Sequence, residues 1–562
     1  MRIDSLGERY QNSPYLSKQT RLWYIGDMKR SETFFWYDLE TFGLNPRYDR
    51  IAQFAGVRTD MNLSVIEDPV VLYCKLSDDY LPDPLSCMVT GITPQEVEEK
   101  GMIERDFIAR INGIFSVPGT CAVGYNSLRF DDEFIRNTLF RNFFDPYGRE
   151  YNEGRSRWDI IDLVRAAHDL RPEGIVWPTK PGSGKPSFKL TDLTEANGIA
   201  HEQAHDAMSD VWATLELARL LKWRQPKLFS YHLELRNKQK VKRLLQTPMG
   251  NPVVHTAAEF TGIEGCTTVV LPIEGSYKNK NLVLAFDLMQ DPSVLISAAK
   301  AYGELEEVKQ KEDKFRSIAQ KARTVLKEHG DIAEALKEST ESLTEAANLL
   351  ANLPGLVSAS DRLLRVHGLQ KISINRSPFI SPLNVLLDDP AIPARLGIDL
   401  DRCGRHRKQL SEHPILPVNI RKAADADEYP EIDDVDFSLY VDFFGDADAK
   451  RFAMIRDMSA KELLDSNFSF DDRRAPDLLW RYVRRNWPEA LEGDRKEEWH
   501  RFCEHRLHFT PGDTLVNLEF YARKIAERLK SQDTDEQDKR IMQQLEEYGK
   551  ALCGKLGITY PR

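Results

Sequence analysis

The spacing of apolar residues divides the chain into regions that differ in predicted secondary structure. In residues 33–225, short apolar runs alternate with segments of helical periodicity, which predicts a mixed sheet flanked by helices. Strands are predicted at 34–40, 51–59 and 70–76, and the pattern at 120–123 is typical of a short buried strand. This region is therefore expected to be an α/β domain.

The next two regions have different patterns. Residues 226–412 contain short β-branched runs at 267–272 and 282–288, which predict a small barrel that also carries helices. Residues 413–562 are rich in helical periodicity and predict an α-helical domain. Residues 1–32 precede the first strand as an N-terminal extension.

A highly charged insertion at residues 303–355 interrupts the second region. It contains two apolar stripes at helical spacing, namely Phe315, Ile318, Ala322 and Val325, and then Ile332, Leu336, Leu343 and Leu350. Gly330 and Asp331 between them supply a C-cap followed by an N-cap, so we predict a helical hairpin. The hairpin either packs on its own domain or docks a partner, and the sequence leaves both readings open.

Composition narrows the class of protein. A chain of 562 residues is too long for one ordinary core, so about two to four domains are expected. The sequence has 41% hydrophobic and 29% charged residues, no apolar stretch that could span a bilayer, and no secretory signal in its first thirty residues. Its seven cysteines are scattered and form no Cys-x-x-Cys pair, which favours a reducing cytoplasm and argues against structural zinc. We expect a cytoplasmic monomer that does not bind membranes.

The first strand ends in a pair of carboxylates. Asp38 and Glu40 are two residues apart, so their side chains point the same way from the strand. Two like charges held this closely repel each other unless a cation lies between them, and hard oxygen ligands suit Mg²⁺ or Mn²⁺. The pair predicts a divalent-metal site, although one Asp-x-Glu triplet alone equally fits a solvated strand end.

Two further segments strengthen the prediction of a metal site. Asp131 and Asp132 lie at a predicted strand-to-helix turn, where ligands gather in α/β sheets. We expect Asp132 to cap the helix and Asp131 to be the ligand. Asp210 falls in the first turn of a later helix, and His205 precedes it with the chemistry of a general base near pH 7. We assign the other histidines, such as His168, His201, His329 and His508, to structural or surface roles.

This set of four acids and one histidine resembles the DEDD exonucleases that use histidine as the base. The surrounding segments resemble the bacterial exonuclease I family, through residues 38–43, 126–133 and 204–210 and through Phe443 to Asp448 near the far end. The resemblance covers most of the chain apart from the first thirty residues and the insertion. It implies an RNase H-like exonuclease domain with a mixed sheet at 33–225, an SH3-like domain at 226–412 and a helical domain at 413–562.

The resemblance also implies a reaction and a set of ligands. It implies attack on the 3′-terminal phosphodiester of single-stranded DNA, with release of 5′-mononucleotides, in DNA repair and recombination. Asp38, Glu40, Asp131 and Asp210 are expected to hold two Mg²⁺ ions, with Mn²⁺ as a substitute, and His205 to take a proton from the attacking water. The helical domain is expected to bind the C-terminal tail of single-stranded-DNA-binding protein.

Substrate contacts are expected from the same resemblance. The positions that match family contacts to the nucleotide or strand are Glu40, Arg136, Tyr147, Tyr151, Arg165, Lys189, Tyr231, Lys238 and Asn281. Aromatic stacking combined with backbone cations is the usual physics of sequence-tolerant strand binding. The net charge of −11 does not exclude such binding, because binding depends on a local positive channel.

Two alternatives to a DNA exonuclease remain open from the sequence. The same five catalytic residues serve 3′–5′ exoribonucleases, which differ in their response to the 2′-hydroxyl. A non-catalytic strand-binding scaffold on a nuclease fold is the other, although it predicts a lost ligand and all five residues are present.

Overall fold

The computed structural model describes residues 32–201, 206–307, 309–310, 362–426, 432, 434–509 and 516–561. His205 and all of the N-terminal extension except its last residue lie outside the described residues. The predicted hairpin also lies outside them, apart from residues 303–307 and 309–310, which are helical.

The first region forms a five-stranded mixed sheet. Its strands are β1 (Thr33–Thr41), β2 (Ile51–Thr59), β3 (Val70–Tyr73), β4 (Thr120–Gly124) and β5 (Ser156–Asp159). The strand order is β3-β2-β1-β4-β5, with β2 antiparallel and β4 parallel to the central β1. The predicted strands are therefore present, and β1 is central to the sheet.

Helices cover both faces of this sheet. They are α1 (Pro84–Thr90), α2 (Pro94–Lys100), α3 (Glu104–Phe115), α4 (Asp131–Arg141), α5 (Ile161–Leu170), α6 (Leu190–Ala196), α7 (Ala207–Arg224) and α8 (Pro226–Glu234), with short 3-10 turns at Gly148–Glu150 and Asn152–Gly154. On one face Phe34 and Trp36 pack in the same core as Val211 of α7. On the other, Phe35 packs with Phe115 of α3. Alternate residues of β1 thus serve opposite cores, as a period of two requires.

The second region forms a separate antiparallel sheet of order β10-β6-β7-β8-β9. Its strands are β6 (Val253–Thr256), β7 (Thr267–Gly275), β8 (Leu282–Asp287), β9 (Leu369–Ser373) and β10 (Phe379–Pro382). Its helices are α9 (Lys238–Leu244), α10 (residues 293–307), α11 (Asn384–Leu387), α12 (Ala391–Arg395), α13 (Leu400–Ser411) and α14 (Leu416–Ala426), with 3-10 turns at Ala258–Phe260 and Leu363–Arg365. The two strands predicted from β-branched runs correspond to β7 and β8.

The last region is helical in its described part. Its helices are α15 (Asp446–Asp457), α16 (Ala460–Asp465), α17 (Ala475–Asn486), α18 (Gly493–His508), α19 (Leu518–Lys530) and α20 (Glu536–Leu556), with 3-10 turns at Val435–Tyr440 and Pro488–Ala490. An apolar core joins them to the first region, since Tyr80 and Phe42 pack with Trp499 and Tyr521.

A buried ion cluster reinforces the same joint. Arg485 of α17 donates to Asp79 of the first region at 2.7 Å and to Asp436 at 2.6 Å. Arg506 of α18 lies 3.4 Å from Asp79 and 3.1 Å from Asp436. Both carboxylates are fully buried, so their charges depend on these arginines for compensation.

All seven cysteines are buried and free. Among the described helices, none is both long and apolar enough to cross a membrane.

Candidate active site

The carboxylates of β1 lie on the face that packs against α7. Asp38 and Glu40 continue the series of Phe34 and Trp36, whose side chains share a core with α7. A strand alternates its side chains strictly, so the apolar residues that anchor α7 also direct the two acids toward its first turn. Asp210 is in that first turn.

The site therefore combines acids from two elements. One oxygen each of Asp38, Glu40 and Asp210 lies within 4.8 Å of the others, an arrangement that could hold a metal ion. Asp206 caps α7 by accepting the Ser209 amide at 3.1 Å. This cap fixes where the helix begins, and so places Asp210 in its first turn. The structure therefore brings together three of the four acids that the sequence predicts as metal ligands.

Asp131 approaches the same strand from the start of α4. Its Oδ1 accepts the backbone amide of Leu39, between the two β1 acids, at 3.2 Å. Burial and the neighbouring Asp132 and Asp159 raise the pKa of Asp131 well above its usual range. Asp131 thus lies at the edge of the carboxylate cluster, where the sequence predicted it.

Electrostatic repulsion is strong in this cluster without a cation. Burial, and then the charges of Asp210, Asp131 and Asp206, raises the pKa of Glu40 to about 9. Burial, and then Asp131, Asp210 and Glu40, likewise raises the pKa of Asp38 well above its usual range. A divalent cation would relieve both effects, and the donor set of carboxylate oxygens is the one that hard cations prefer. The residues present therefore fit a divalent-metal site.

The expected helix-capping role of Asp132 is wrong. Phe130 occupies the N-cap position of α4 without a side-chain hydrogen bond. Asp132 is instead fully buried, and accepts from Arg149 at 2.6 Å, from Arg157 at 2.5 Å and from the Tyr37 hydroxyl at 2.8 Å. Burial alone would raise the pKa of Asp132, but the two guanidinium groups outweigh it and hold the pKa below its usual range.

His201, for which a structural or surface role is predicted, contacts one of the three acids. His201 Nε2 lies 2.5 Å from Asp210 Oδ1, and only 5% of the histidine side chain is exposed. Nine residues separate the two in the sequence, so neither helical nor strand periodicity links them. The prediction for His205 is not addressed by the described residues.

A large groove adjoins the first region where it meets the other two. It has a volume of about 1860 Å³, and lining residues from all three regions include Glu133, Arg376 and Tyr440. Glu133 accepts from Arg376 at 3.0 Å and from the Tyr440 hydroxyl, so one side chain ties the three regions together. The lining includes eleven Lys or Arg residues, six Asp or Glu residues and nine aromatic residues. The groove is thus locally basic and aromatic, although the chain is acidic.

Five of the expected strand contacts line this groove, namely Arg136, Tyr147, Tyr151, Lys238 and Asn281. Tyr151 is 65% exposed, as a stacking surface would be. Arg136 is buried and donates to both oxygens of Glu150, at 2.7 and 2.9 Å. Lys238 lies 3.4 Å from Asn281.

The other expected contacts lie apart from the groove lining. Lys189 is exposed and immediately precedes α6. Arg165 is buried on Asp162 at 2.6 Å, and the Tyr231 hydroxyl donates to the Ile380 carbonyl at 2.8 Å. Tyr440 was not predicted as a contact, because its position in the groove depends on the packing of distant regions.

Comparison with known proteins matches each region to a family model. The model "Exonuclease" matches residues 35–218, "Exonuclease I SH3-like domain" matches 236–315 and 357–423, and "Exonuclease I C-terminal domain" matches 433–552. Exodeoxyribonuclease I of Escherichia coli K12 is 36% identical over 530 residues, which cover 94% of this chain and 100% of the relative.

Solved structures match over a similar length. Escherichia coli Exonuclease I in complex with a dA16 oligonucleotide has a TM-score of 0.77 at 35% identity, covering 93% of this chain and 100% of that one. An SSB/Exonuclease I crystal structure in complex with the inhibitor CFAM has a TM-score of 0.76 at 34% identity, covering 93% and 100%.

Proposed function

Because the chain belongs to the exonuclease I family, we propose that it degrades single-stranded DNA from the 3′ end to 5′-mononucleotides in a metal-dependent reaction. The family resemblance and the predicted fold class are confirmed by the matches over all three regions. The observation that carries the proposal is the cluster of Asp38, Glu40 and Asp210 on a nuclease fold. A non-catalytic scaffold would not be expected to keep such mutually repelling acids.

The cluster is proposed to hold two Mg²⁺ ions, with Mn²⁺ as a substitute. Asp38, Glu40 and Asp210 would be direct ligands, and Asp131 would complete the set. When bound, such ions supply a nucleophilic hydroxide and neutralise charge on the attacked phosphate. The elevated pKa of Glu40 supports this assignment, since a buried carboxyl with this pKa is unfavourable as an anion unless a cation is present.

The protein residues have separate roles in this proposal. The rigid β1 orients two carboxylates, and the start of α7 adds the third from the opposite side. His205 is proposed to accept the proton of the attacking water, in agreement with its place five residues before Asp210. Lys189 and Glu40 are proposed to position the terminal nucleotide.

The groove is proposed to bind the strand that enters the site. Its cations attract phosphates, and its aromatic rings offer surfaces on which bases stack without sequence preference. Tyr147, Tyr151, Lys238 and Asn281 are proposed contacts of this kind. Arg136 is proposed to contribute shape more than charge, because Glu150 already balances its guanidinium. Arg165 and Tyr231 are kept as proposed contacts from the family resemblance alone.

The cellular role follows from the same family. We propose action in DNA repair and recombination, in the cytoplasm, as a monomer. The acidic C-terminal tail of single-stranded-DNA-binding protein is a proposed partner, supported by the solved SSB/Exonuclease I complex.

The test is digestion of 5′-labelled single-stranded DNA, duplex DNA and RNA in Mg²⁺ and in EDTA. Wild type should give a ladder that shortens from the 3′ end, on single-stranded DNA and with metal. Asp38→Ala should abolish the ladder, whereas Asp68→Ala, which removes an exposed carboxylate of the β2–β3 connection, should not. RNA trimming would favour the exoribonuclease alternative, and tight strand binding without cleavage would reject an enzyme.

A further inference from the structure

We propose that His201 is a positioning residue that holds Asp210 in its metal-binding orientation, with Thr194 fixing the orientation of the imidazole. The inference rests on the proposed function, because it assigns Asp210 to the metal site. It adds two residues outside the five-residue motif to the proposed site.

The contact between His201 and Asp210 has the geometry of a charge-assisted hydrogen bond. Nε2 and Oδ1 are 2.5 Å apart, and the exposed fractions of the two side chains are 5% and 18%. A bond in such a shielded position is stronger than one exposed to water, and it fixes the direction of the carboxylate.

Thr194 holds the other nitrogen of the same ring. Its Oγ1 lies 3.1 Å from His201 Nδ1, and the threonine is fully buried on α6. The Thr194 hydroxyl donates its single proton to the carbonyl oxygens of Leu190 and Thr191, each at 2.9 Å, so it is anchored to α6 and offers a lone pair to the ring. The contacts from Thr194 through His201 to Asp210 therefore fix the orientation of the ring, with Nε2 toward the carboxylate.

Asp210 requires such support because its neighbours repel it. Asp38 and Glu40 belong to the central strand of the sheet and cannot move apart easily, whereas Asp210 lies in the first turn of a helix. The His201 contact opposes rotation of the Asp210 side chain away from the other two acids. Hydrogen-bonded partners of this kind around metal ligands typically change metal affinity about 10–100-fold when they are removed.

Two substitutions of His201 test separately the contacts made by the two nitrogens of its ring. The amide nitrogen of glutamine reaches about as far as Nε2, so His201→Gln keeps a donor to Asp210. The shorter asparagine reaches only the Nδ1 position, so His201→Asn keeps the Thr194 contact and loses the contact to Asp210. Thr194→Val removes the hydroxyl with little change of shape. His168→Asn is the control for the same substitution on a different helix, where the Nδ1 contact with Asp169 at 2.6 Å is one that asparagine keeps.

The affinity of the metal-free protein for Mn²⁺ is measured by calorimetry in the absence of DNA. We expect about 10–100-fold weaker binding for His201→Asn, a smaller loss for Thr194→Val, and near wild-type binding for His201→Gln and His168→Asn. The rate of strand hydrolysis by His201→Asn should recover as Mn²⁺ is raised to saturation, as expected for a residue that acts through a ligand.

Three outcomes would overturn the proposal. Wild-type Mn²⁺ affinity in His201→Asn would show that Asp210 needs no support from this ring. Equal losses in His201→Gln and His201→Asn would show that a donor at this position is not what matters. Unchanged affinity with no recovery of rate at saturating Mn²⁺ would make His201 a proton-transfer group instead. Failure of wild type itself to bind Mn²⁺ would reject the metal site, and so distinguishes failure of the proposed function from failure of this inference.

Discussion

Replacing Glu40 by glutamine should stabilise the metal-free protein against unfolding, by an amount that increases with pH. Burial and three neighbouring acids raise the pKa of Glu40 from 4.5 to about 9 in the folded state. Between these two values the folded protein keeps a proton that the unfolded chain has released. The free energy of unfolding of the wild type therefore falls as pH rises across this window. Glutamine resembles the protonated carboxyl and does not carry this cost.

The expected magnitude follows from the width of the window. Each pH unit between the two pKa values costs the metal-free wild type up to about 1.4 kcal/mol relative to the glutamine variant. At pH 7.5 the accumulated difference would reach about 4 kcal/mol, and above pH 9 it would stop growing. Asp38 and Asp131 lie in the same cluster and also have raised pKa values. Part of the stabilisation by glutamine would therefore come from weaker repulsion of these two acids.

The assay is urea unfolding in EDTA at several values from pH 5.5 to 8.5. A suitable control is Glu104→Gln, because Arg141 and Arg50 overcome the burial of Glu104 and lower its pKa to about 2. Glu104 stabilises the fold above the unfolded-state pKa of about 4.5 and loses this effect only as pH falls toward 2. The control should therefore be less stable than wild type by a constant amount across the measured range.

The change in the free energy of unfolding relative to wild type should thus be positive and increase with pH for Glu40→Gln, and be negative and constant for Glu104→Gln. A Glu40→Gln difference that is flat with pH, or that destabilises the metal-free protein, would refute the argument that burial and the neighbouring acids raise the pKa of Glu40. Added Mn²⁺ should reverse the order, since metal stabilises the wild type by binding the folded state and the variant lacks one ligand.

Three further outcomes are expected. Arg485→Ala should cost about 3–5 kcal/mol in urea unfolding, because it breaks two buried ion pairs and leaves Asp79 with Arg506 as its remaining close arginine; a cost below about 1 kcal/mol would contradict this. Lys238→Ala should reduce the salt dependence of single-strand binding by about 0.7 in the slope of log K against log salt, and an unchanged slope would exclude a phosphate contact. Deletion of residues 311–355 should leave strand hydrolysis unchanged, because the proposed ligands and the groove residues lie elsewhere in the sequence; a lower rate would implicate the insertion in strand binding.

The grouping of acids proposed to bind metal was predictable from the sequence because its geometry depends on local rules. A period of two places Asp38 and Glu40 on one face of a strand, and helical periodicity places Asp210 in a first turn. Phe34 and Trp36, the apolar residues on the same face of the strand as the acids, then bring the strand and the helix together. Each step uses information within a few residues of the acid concerned.

The surroundings of the site were not predictable in this way. Asp132 fits the local signature of a helix cap, yet Arg149 and Arg157, 17 and 25 residues later, reach it through tertiary structure and give it a different role. His201 likewise meets Asp210 across a connection that has no regular period. Contacts between elements decide both cases, and a single sequence does not specify which elements meet.

The distribution of charge explains how an acidic chain could bind a polyanion. The buried Asp132 and the half-buried Glu133 and Glu150 are paired with arginines around the groove, so these acids fix the arginines in place and also cancel their charge. The exposed cations that line the groove include Arg47 of the first region and Lys238, Lys278 and Lys280 of the second. Long-range attraction of phosphates therefore comes from these exposed cations, and the buried arginines shape the groove. The net charge of −11 is therefore a poor guide to strand binding. Only six of the acids in the described part of the chain line the groove, and binding depends on the charge within the groove.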